Sequence, residues 1–144
     1  MDEKQSGRIM GVDWGGKRIG LATSDETCTI AKPLLVFQHR SRHEDAMKVL
    51  EEAEKQQVNL IIVGVTYDDE NNLTPSGRRA NRFAEELGVK SGIPVKIWSE
   101  EFSTSKAKQN SLMMNLPKSK RKGHLDAMAA ANILQDFLDF KKNE

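Results

Sequence analysis

The stretch "RIMGVDWGGKRIGLATSD", Arg8 to Asp25, decides how the chain is read. Two apolar, strand-like runs, Arg8–Asp13 and Arg18–Ser24, flank the turn "WGGK", where Gly15 and Gly16 are expected to supply positive φ. A hairpin therefore opens the fold. It leaves one question, because an aspartate at the end of a strand serves equally well as a turn residue or as a chemical group. Partners for Asp13 elsewhere in the chain decide between the two.

Downstream, "KPLLVF" (Lys32–Phe37) reads as a third strand. Between Arg42 and Gln57, Ala46, Val49, Leu50 and Ala53 recur at helical spacing. "NLIIVGV" (Asn59–Val65) is continuously apolar and β-branched, as a buried parallel strand is. The polar "TYDDENNLTPSG" follows as a loop, then "RRANRFAEELG" (Arg78–Gly88) as a helix with Gly88 as its stop. "IPVKIWSE" (Ile93–Glu100) is the next strand, and "STSKAKQNSLMMN" a capped helix. After a basic loop, "HLDAMAAANILQDFLDF" is predicted as the last helix, with Leu125, Met128, Ala129, Asn132, Ile133 and Phe137 near one stripe. The order β-β-β-α-β-α-β-α-α implies an α/β protein with a mixed sheet and helices on its faces.

With 144 residues and no internal repeat or linker, one domain spanning 1–144 is expected, residues 1–7 being a polar tail. A hydrophobic fraction of 38% with 30% charged residues argues for a folded chain rather than a disordered one. No apolar run is long enough to span a membrane, and "MDEKQSGR" lacks a signal-peptide core. The single cysteine, Cys28, excludes an internal disulfide and a Cys-rich metal site, so a cytoplasmic protein is expected. Net charge is +1, which neither requires nor excludes a nucleic-acid partner. Its distribution says more: "PKSKRKGH" carries Lys118, Lys120, Arg121 and Lys122 without an acid, and "HRSRH" (His39–His43) is a second basic group.

In open α/β sheets, ligand sites form beyond the carboxyl ends of the strands. Asp13 ends the first strand, Glu100 and Glu101 end the last, and Asp126 falls in the first turn of the predicted final helix. These acids would converge on one rim. Clustered carboxylates repel unless a cation shares the site. Hard oxygen donors without His or Cys select Mg²⁺ or Mn²⁺, an ion that binds substrate phosphates as well. Asp13 would then hold metal, the glycines would let backbone approach a phosphate, and Lys17 and Arg18 would neutralise it. Trp14 and Trp98 would bracket such a site and offer a face to a base, with core packing the competing use of Trp98. His124, near Asp126, reads as a cap or a solvated side chain.

At this point the residues carry a resemblance. "GVDWGGKRIGLATSD" closely resembles the opening signature of the YqgF/RuvX-type family, to which Holliday junction resolution and pre-16S rRNA processing are ascribed. "LIIVGV" with "SGRRANRFAEEL", then "VKIWSEEFST", then "KSKRKGHLDAMAAANILQDFL" resemble its later blocks in order, from about Arg8 to Asp139. The resemblance implies a ribonuclease H-like fold with a five-stranded mixed sheet, and phosphodiester hydrolysis with a divalent metal. By position it implies Asp13, Glu100 and Asp126 as catalytic and metal-binding residues. Lys17 and Arg18 match the family's basic pair, and Lys118, Lys120, Arg121 and Lys122 its phosphate-contacting loop. Two places depart from the family: Ser99 and Glu101 replace an acid and an arginine around Glu100, and Thr66 stands where proline is usual.

The leading expectation is a metal-dependent endonuclease that processes the 5′ end of pre-16S rRNA, acting on ribosomal precursor particles as a monomer or weak homodimer. Branched DNA is the alternative substrate; a non-catalytic nucleic-acid-binding or ribosome-assembly factor is the alternative class. An ATP-using enzyme of the actin and sugar-kinase type opens similarly but needs a second lobe, which this chain does not show.

Overall fold

A computed structural model describes residues 7–100 and 118–143, and of residues 118–126 the helical backbone alone. The elements are β1 (Arg8–Trp14), β2 (Arg18–Ser24), β3 (Ala31–Gln38), α1 (Arg42–Lys55), β4 (Val58–Val65), α2 (Pro75–Lys90), β5 (Val95–Ser99) and α3 (Lys118–Lys142). The five strands lie in the order β3-β2-β1-β4-β5, with β1–β2 and β2–β3 antiparallel, and β1–β4 and β4–β5 parallel. The expected mixed sheet is therefore present. The helix expected over "STSKAKQNSLMMN" lies outside the described residues, as does Glu101.

Strand alternation divides the side chains between two faces. Met10 and Val12 of β1, Ile19 and Leu21 of β2, and Ile61, Val63 and Val65 of β4 pack with Ala46, Val49 and Ala53 of α1 and with Ala80, Phe83, Ala84 and Leu87 of α2. On the opposite face Ile9, Ala22 and Ile62 meet Ala130, Ala131, Ile133, Leu134, Phe137 and Leu138 of α3. Each large side chain fully buried here, such as Phe83 or Leu134, contributes roughly 1.5–3 kcal/mol.

The opening hairpin closes through the Gly15 N–H, which donates to the Arg18 carbonyl at 2.9 Å. Gly16 alone takes a positive φ, +85°. Gly15 is needed for a different reason than expected: a Cβ there would stand 2.8 Å from the Arg18 carbonyl oxygen.

The N-terminal caps of α1 and α2 are side-chain hydroxyls. Ser41 accepts the Glu44 N–H at 3.1 Å, and Thr74 accepts the Gly77 N–H at 2.9 Å with Pro75 next in line. Helix α2 thus begins three residues before the predicted Arg78. It also runs past Gly88 to Lys90, because Gly88 keeps a negative φ and Ser91 ends the helix with its N–H on the Leu87 carbonyl. Thr66, the departure from proline, ties the loop between β4 and α2: its hydroxyl bonds Thr74 Oγ1, and its carbonyl accepts the Thr74 N–H at 3.1 Å. In the β2–β3 loop, Asp25 accepts from the Thr27 hydroxyl and the Thr29 and Ile30 N–H groups, which lowers its carboxyl from 3.8 to about 2.

The last helix differs most from its prediction. The basic run Lys118–Lys122, read as a loop, forms the first turns of α3. Lysine and arginine are good helix formers, and Gly123 is carried within the helix rather than ending it. Asp126 consequently lies in the third turn, not the first, so helix-dipole stabilisation near an N-terminus does not explain its presence. The buried stripe includes Ile133 and Phe137 as expected, but Met128, Ala129 and Asn132 are only half-buried.

Candidate active site

The carboxyl ends of β1, β4 and β5 form one rim, and Asp13 and Glu100 lie on the α3 side of it. Asp13 alternates with Ile9 and Gly11, and a Cβ on Gly11 would meet the Ala130 carbonyl at 2.7 Å and Leu134 Cβ at 2.8 Å, so this face of β1 lies directly beneath α3. Asp13 is half-buried and pairs across the hairpin with Gly20, which has no side chain. On its other side β1 and β4 are in register through Val12 and Val63, one residue short of Asp13 and Gly64. The carboxylate is thus flanked by a glycine on each neighbouring strand, Gly20 and Gly64, and neither puts a side chain beside it.

Glu100 comes to the same face from β5. The pairing of Val65 with Ser99 is extended by the Glu100 N–H, which donates to the Val65 carbonyl at 2.9 Å. Two residues earlier Trp98 packs against α3, and alternation puts Glu100 on that side too. Its Oε2 lies 2.9 Å from the place a Cβ would occupy on Gly64, where Ile133 Cδ1 is 2.4 Å away. Gly64 is thus a floor on which Glu100 and Ile133 rest. It was not among the expected site residues, although an isolated glycine in an apolar strand signals close approach of another group.

The direction of α3 is fixed by two contacts. Ala130 meets Gly11 in mid-strand, and the Gln135 side chain accepts the Ala31 N–H at 2.9 Å and donates to the Thr29 carbonyl at 3.0 Å, at the opposite end of the sheet. The N-terminal part of α3 therefore points to the rim that holds Asp13 and Glu100. Asp126 precedes Ala130 by four residues and Ile133 by seven, which is the same stripe of the helix, about 6 Å nearer the rim than Ala130. Among the described residues no three Asp, Glu, His or Cys side chains gather as a metal site.

Of the basic residues, Arg18 alternates with Ile19 onto the α3 face, half-buried, and Lys17 is exposed in the turn. Lys118, Lys120, Arg121 and Lys122 precede Asp126 along α3 by about 6–12 Å of helix axis. The two tryptophans do not bracket the site. Trp98 meets Phe137 edge-on, with ring centroids 5.3 Å apart, and Phe140 at 5.2 Å, so its ring is spent in the core. Trp14 follows Asp13 and so faces the other way, against Phe83 and His39 on the α1/α2 side.

Known proteins agree with this architecture. Over 94% of this chain and 96% of theirs, the RuvC structure from T. thermophilus in complex with a Holliday junction substrate superposes with a TM-score of 0.62 at 19% identity. The fowlpox virus resolvase in complex with Holliday junction DNA superposes with a TM-score of 0.55 at 13% identity, covering 93% of this chain and 98% of that one. Both show the ribonuclease H-like fold. In sequence, a protein of Thermoanaerobacter pseudethanolicus named "Putative pre-16S rRNA nuclease" is 36% identical over 95% of this chain and 99% of its own length. Another of that name from an Anaeromyxobacter species is 36% identical over 92% and 96%. The profile of the RuvX family, described as Holliday junction resolvase, matches residues 7–140. With that span and those identities, the chain belongs to the RuvX family of nucleases and is a hydrolase of phosphodiester bonds on a ribonuclease H-like fold.

Proposed function

We propose that this chain is an endonuclease that cuts precursor 16S rRNA near its 5′ end, with Asp13, Glu100 and Asp126 as catalytic residues that hold Mg²⁺ or Mn²⁺. The observation that carries the reading is the convergence of Asp13 and Glu100 on the α3 side of one rim, with Glu100 seated over Gly64 of the strand between them. The donors fit a hard divalent cation: all three are carboxylates, and the flanking strand positions Gly20 and Gly64 add no competing nitrogen or sulfur ligand. When bound, the ion supplies an activated water at neutral pH and stabilises charge on the leaving oxygen.

The chain's own groups do the positioning. Asp13 sits on a central strand, so its backbone cannot move without breaking the β1–β2 and β1–β4 ladders. Glu100 is held by its N–H on Val65 and by Gly64 beneath it, oriented to receive a proton from, or align, the attacking water. Lys17 and Arg18 at the hairpin turn neutralise the phosphate beside the scissile bond. Lys118, Lys120, Arg121 and Lys122 carry the strand on toward the N-terminus of α3. In-line attack leaves a 5′-phosphate on the released fragment.

RNA is preferred as substrate because the relatives at 36% identity carry a pre-rRNA nuclease name. Ribosomal precursor particles are then the partner, the cytoplasm the place of action, and one domain over residues 1–144 acting as a monomer or weak homodimer the working unit. No helix among the described residues is long and apolar enough to cross a membrane. The family description favours a second reading, resolution of a DNA four-way junction, which calls for two copies about a two-fold axis to cut two strands symmetrically.

The test is cleavage of a labelled 5′-extended pre-16S rRNA fragment and a labelled four-way DNA junction in Mg²⁺, Mn²⁺ or EDTA. Metal-dependent cutting of the RNA, with a 5′-phosphate on the product, is expected. Symmetric cutting of the junction instead selects the second reading. Binding of both without cutting of either would make the protein an assembly factor, and the Ser99 and Glu101 departures would be where catalysis was lost.

A further inference from the structure

The α1/α2 side of the same rim carries a second concentration of charge that the carboxylate site does not use. A small cavity of about 110 Å³ is lined by Trp14, Arg42, Arg79, Arg82 and Phe83. The topology brings them together from three separate places. Trp14 is the last residue of β1, Arg42 the first of α1, and Arg79 and Arg82 lie in the second turn of α2. Strand β3 runs parallel to β1, because each is antiparallel to β2. Helix α1, which follows β3, therefore starts at the rim where β1 ends, and α2 starts there from the end of β4. Gly77 sits so close to the Thr66 carbonyl, 2.4 Å from a would-be Cβ, that the first turn of α2 is pressed onto that rim.

Three guanidinium groups around one cavity repel one another, and no carboxylate among the described residues offsets that. All three arginines are exposed, and none forms an ion pair or hydrogen bond with another described residue. The acids of the first turn of α1 are engaged elsewhere: Asp45 takes His39 Nδ1 and the Arg40 N–H, and Glu44 meets the Ser41 hydroxyl. The Trp14 indole N–H is buried with no acceptor among the described residues, an uncommon state for a buried donor in a native protein. Guanidinium groups without carboxylates, on the edge of a nuclease site, match phosphate oxygens in both charge and fork geometry.

We propose that Arg42, Arg79 and Arg82 form a backbone-phosphate site that grips the nucleic acid on the far side of the rim from the cut. The proposal rests on the nuclease reading and names the path of its substrate. Asp13 and Trp14 are consecutive residues on opposite faces of β1. A strand lying across the rim meets the carboxylates and Arg18 on one side, Lys17 at the turn, and the three arginines on the other. These contacts hold phosphate and carry no base preference.

The experiment measures binding without chemistry. Full-length Asp13→Asn protein, in EDTA, is titrated onto the labelled precursor RNA fragment and the labelled four-way junction at several salt concentrations. The triple variant Arg42→Gln/Arg79→Gln/Arg82→Gln in that background is expected to bind roughly tenfold or more weakly at about 100 mM salt, with the slope of log K against log salt shallower by about 2–3. A control with the same loss of charge at the opposite end of the sheet, Lys32→Gln/Lys141→Gln/Lys142→Gln, should keep most of the slope. All six residues are exposed, so the fold is expected to survive; should the triple variant lose its circular dichroism, Arg82→Gln alone should lower the slope by about 1. Equal slopes and affinities for the folded arginine variant and its parent would overturn the arginine site and leave the nuclease reading standing. Failure of the parent itself to bind either probe would overturn both.

Discussion

Asp13→Asn is expected to lower phosphodiester cleavage by about 10³-fold or more, equivalent to roughly 4 kcal/mol of transition-state stabilisation. Asparagine preserves the shape of the side chain and removes its charge, which a hard divalent cation needs from its ligands. The strand that carries residue 13 is paired on both sides, so the backbone has no reason to shift. Removing one of several neighbouring acids relieves repulsion, so thermal stability should hold or rise while nucleic-acid binding is retained. Initial rates at saturating Mg²⁺, together with a melting curve, check both halves. Cleavage at the wild-type rate would remove this carboxylate from the chemistry.

The second large effect is expected at a residue with no side chain. In Gly64→Ala the new Cβ would lie 2.4 Å from Ile133 Cδ1 and 2.9 Å from Glu100 Oε2. Each is the far end of a flexible side chain, so the strand persists and the neighbours move. Overpacking of this kind costs about 1–3 kcal/mol of stability. Displacing a catalytic carboxylate by even an ångström can cost about 10²-fold in rate. The two losses separate in the double variant Gly64→Ala/Ile133→Val, which deletes the clashing Cδ1 and leaves Glu100 displaced. Urea midpoints should recover most of the loss, less the roughly 0.5–1.5 kcal/mol that Ile→Val itself costs, while cleavage stays low. Recovery of cleavage together with stability would show that Gly64 serves packing under α3 and not the position of Glu100.

Much of this architecture was legible in the sequence because it rests on local pattern. The hairpin from Arg8 to Ser24, the β-branched run of β4 and the amphipathic α1 each declare themselves by period and turn chemistry. Glycine was the least reliable sign. Gly88 looked like a helix end, yet it keeps a helical φ and α2 continues to Lys90, because packing against the sheet outweighs the roughly 1 kcal/mol a helical glycine costs. Gly64 looked unremarkable and turned out to floor the site. Asp13 and Glu100 could be nominated from strand ends. Trp14 was misplaced because adjacent strand residues face opposite ways, so the neighbour of a site residue in sequence is across the sheet from it in space. The grouping of Arg42, Arg79 and Arg82 depends on β3 running parallel to β1, a property of the sheet order that no single segment displays.

The central claim is that Asp13, Glu100 and Asp126 make one divalent-metal site. Its most direct test is Mn²⁺ titration of the full chain, without substrate, followed by the loss of the free-ion electron paramagnetic resonance signal. Asp13→Asn, Glu100→Gln and Asp126→Asn are each expected to weaken Mn²⁺ binding by tenfold or more, about 1.4 kcal/mol or above. Asp126→Asn is the most telling of the three, since it asks whether the third turn of α3 completes what the two strand ends begin. Equal Mn²⁺ affinity in wild type and all three variants would contradict the account.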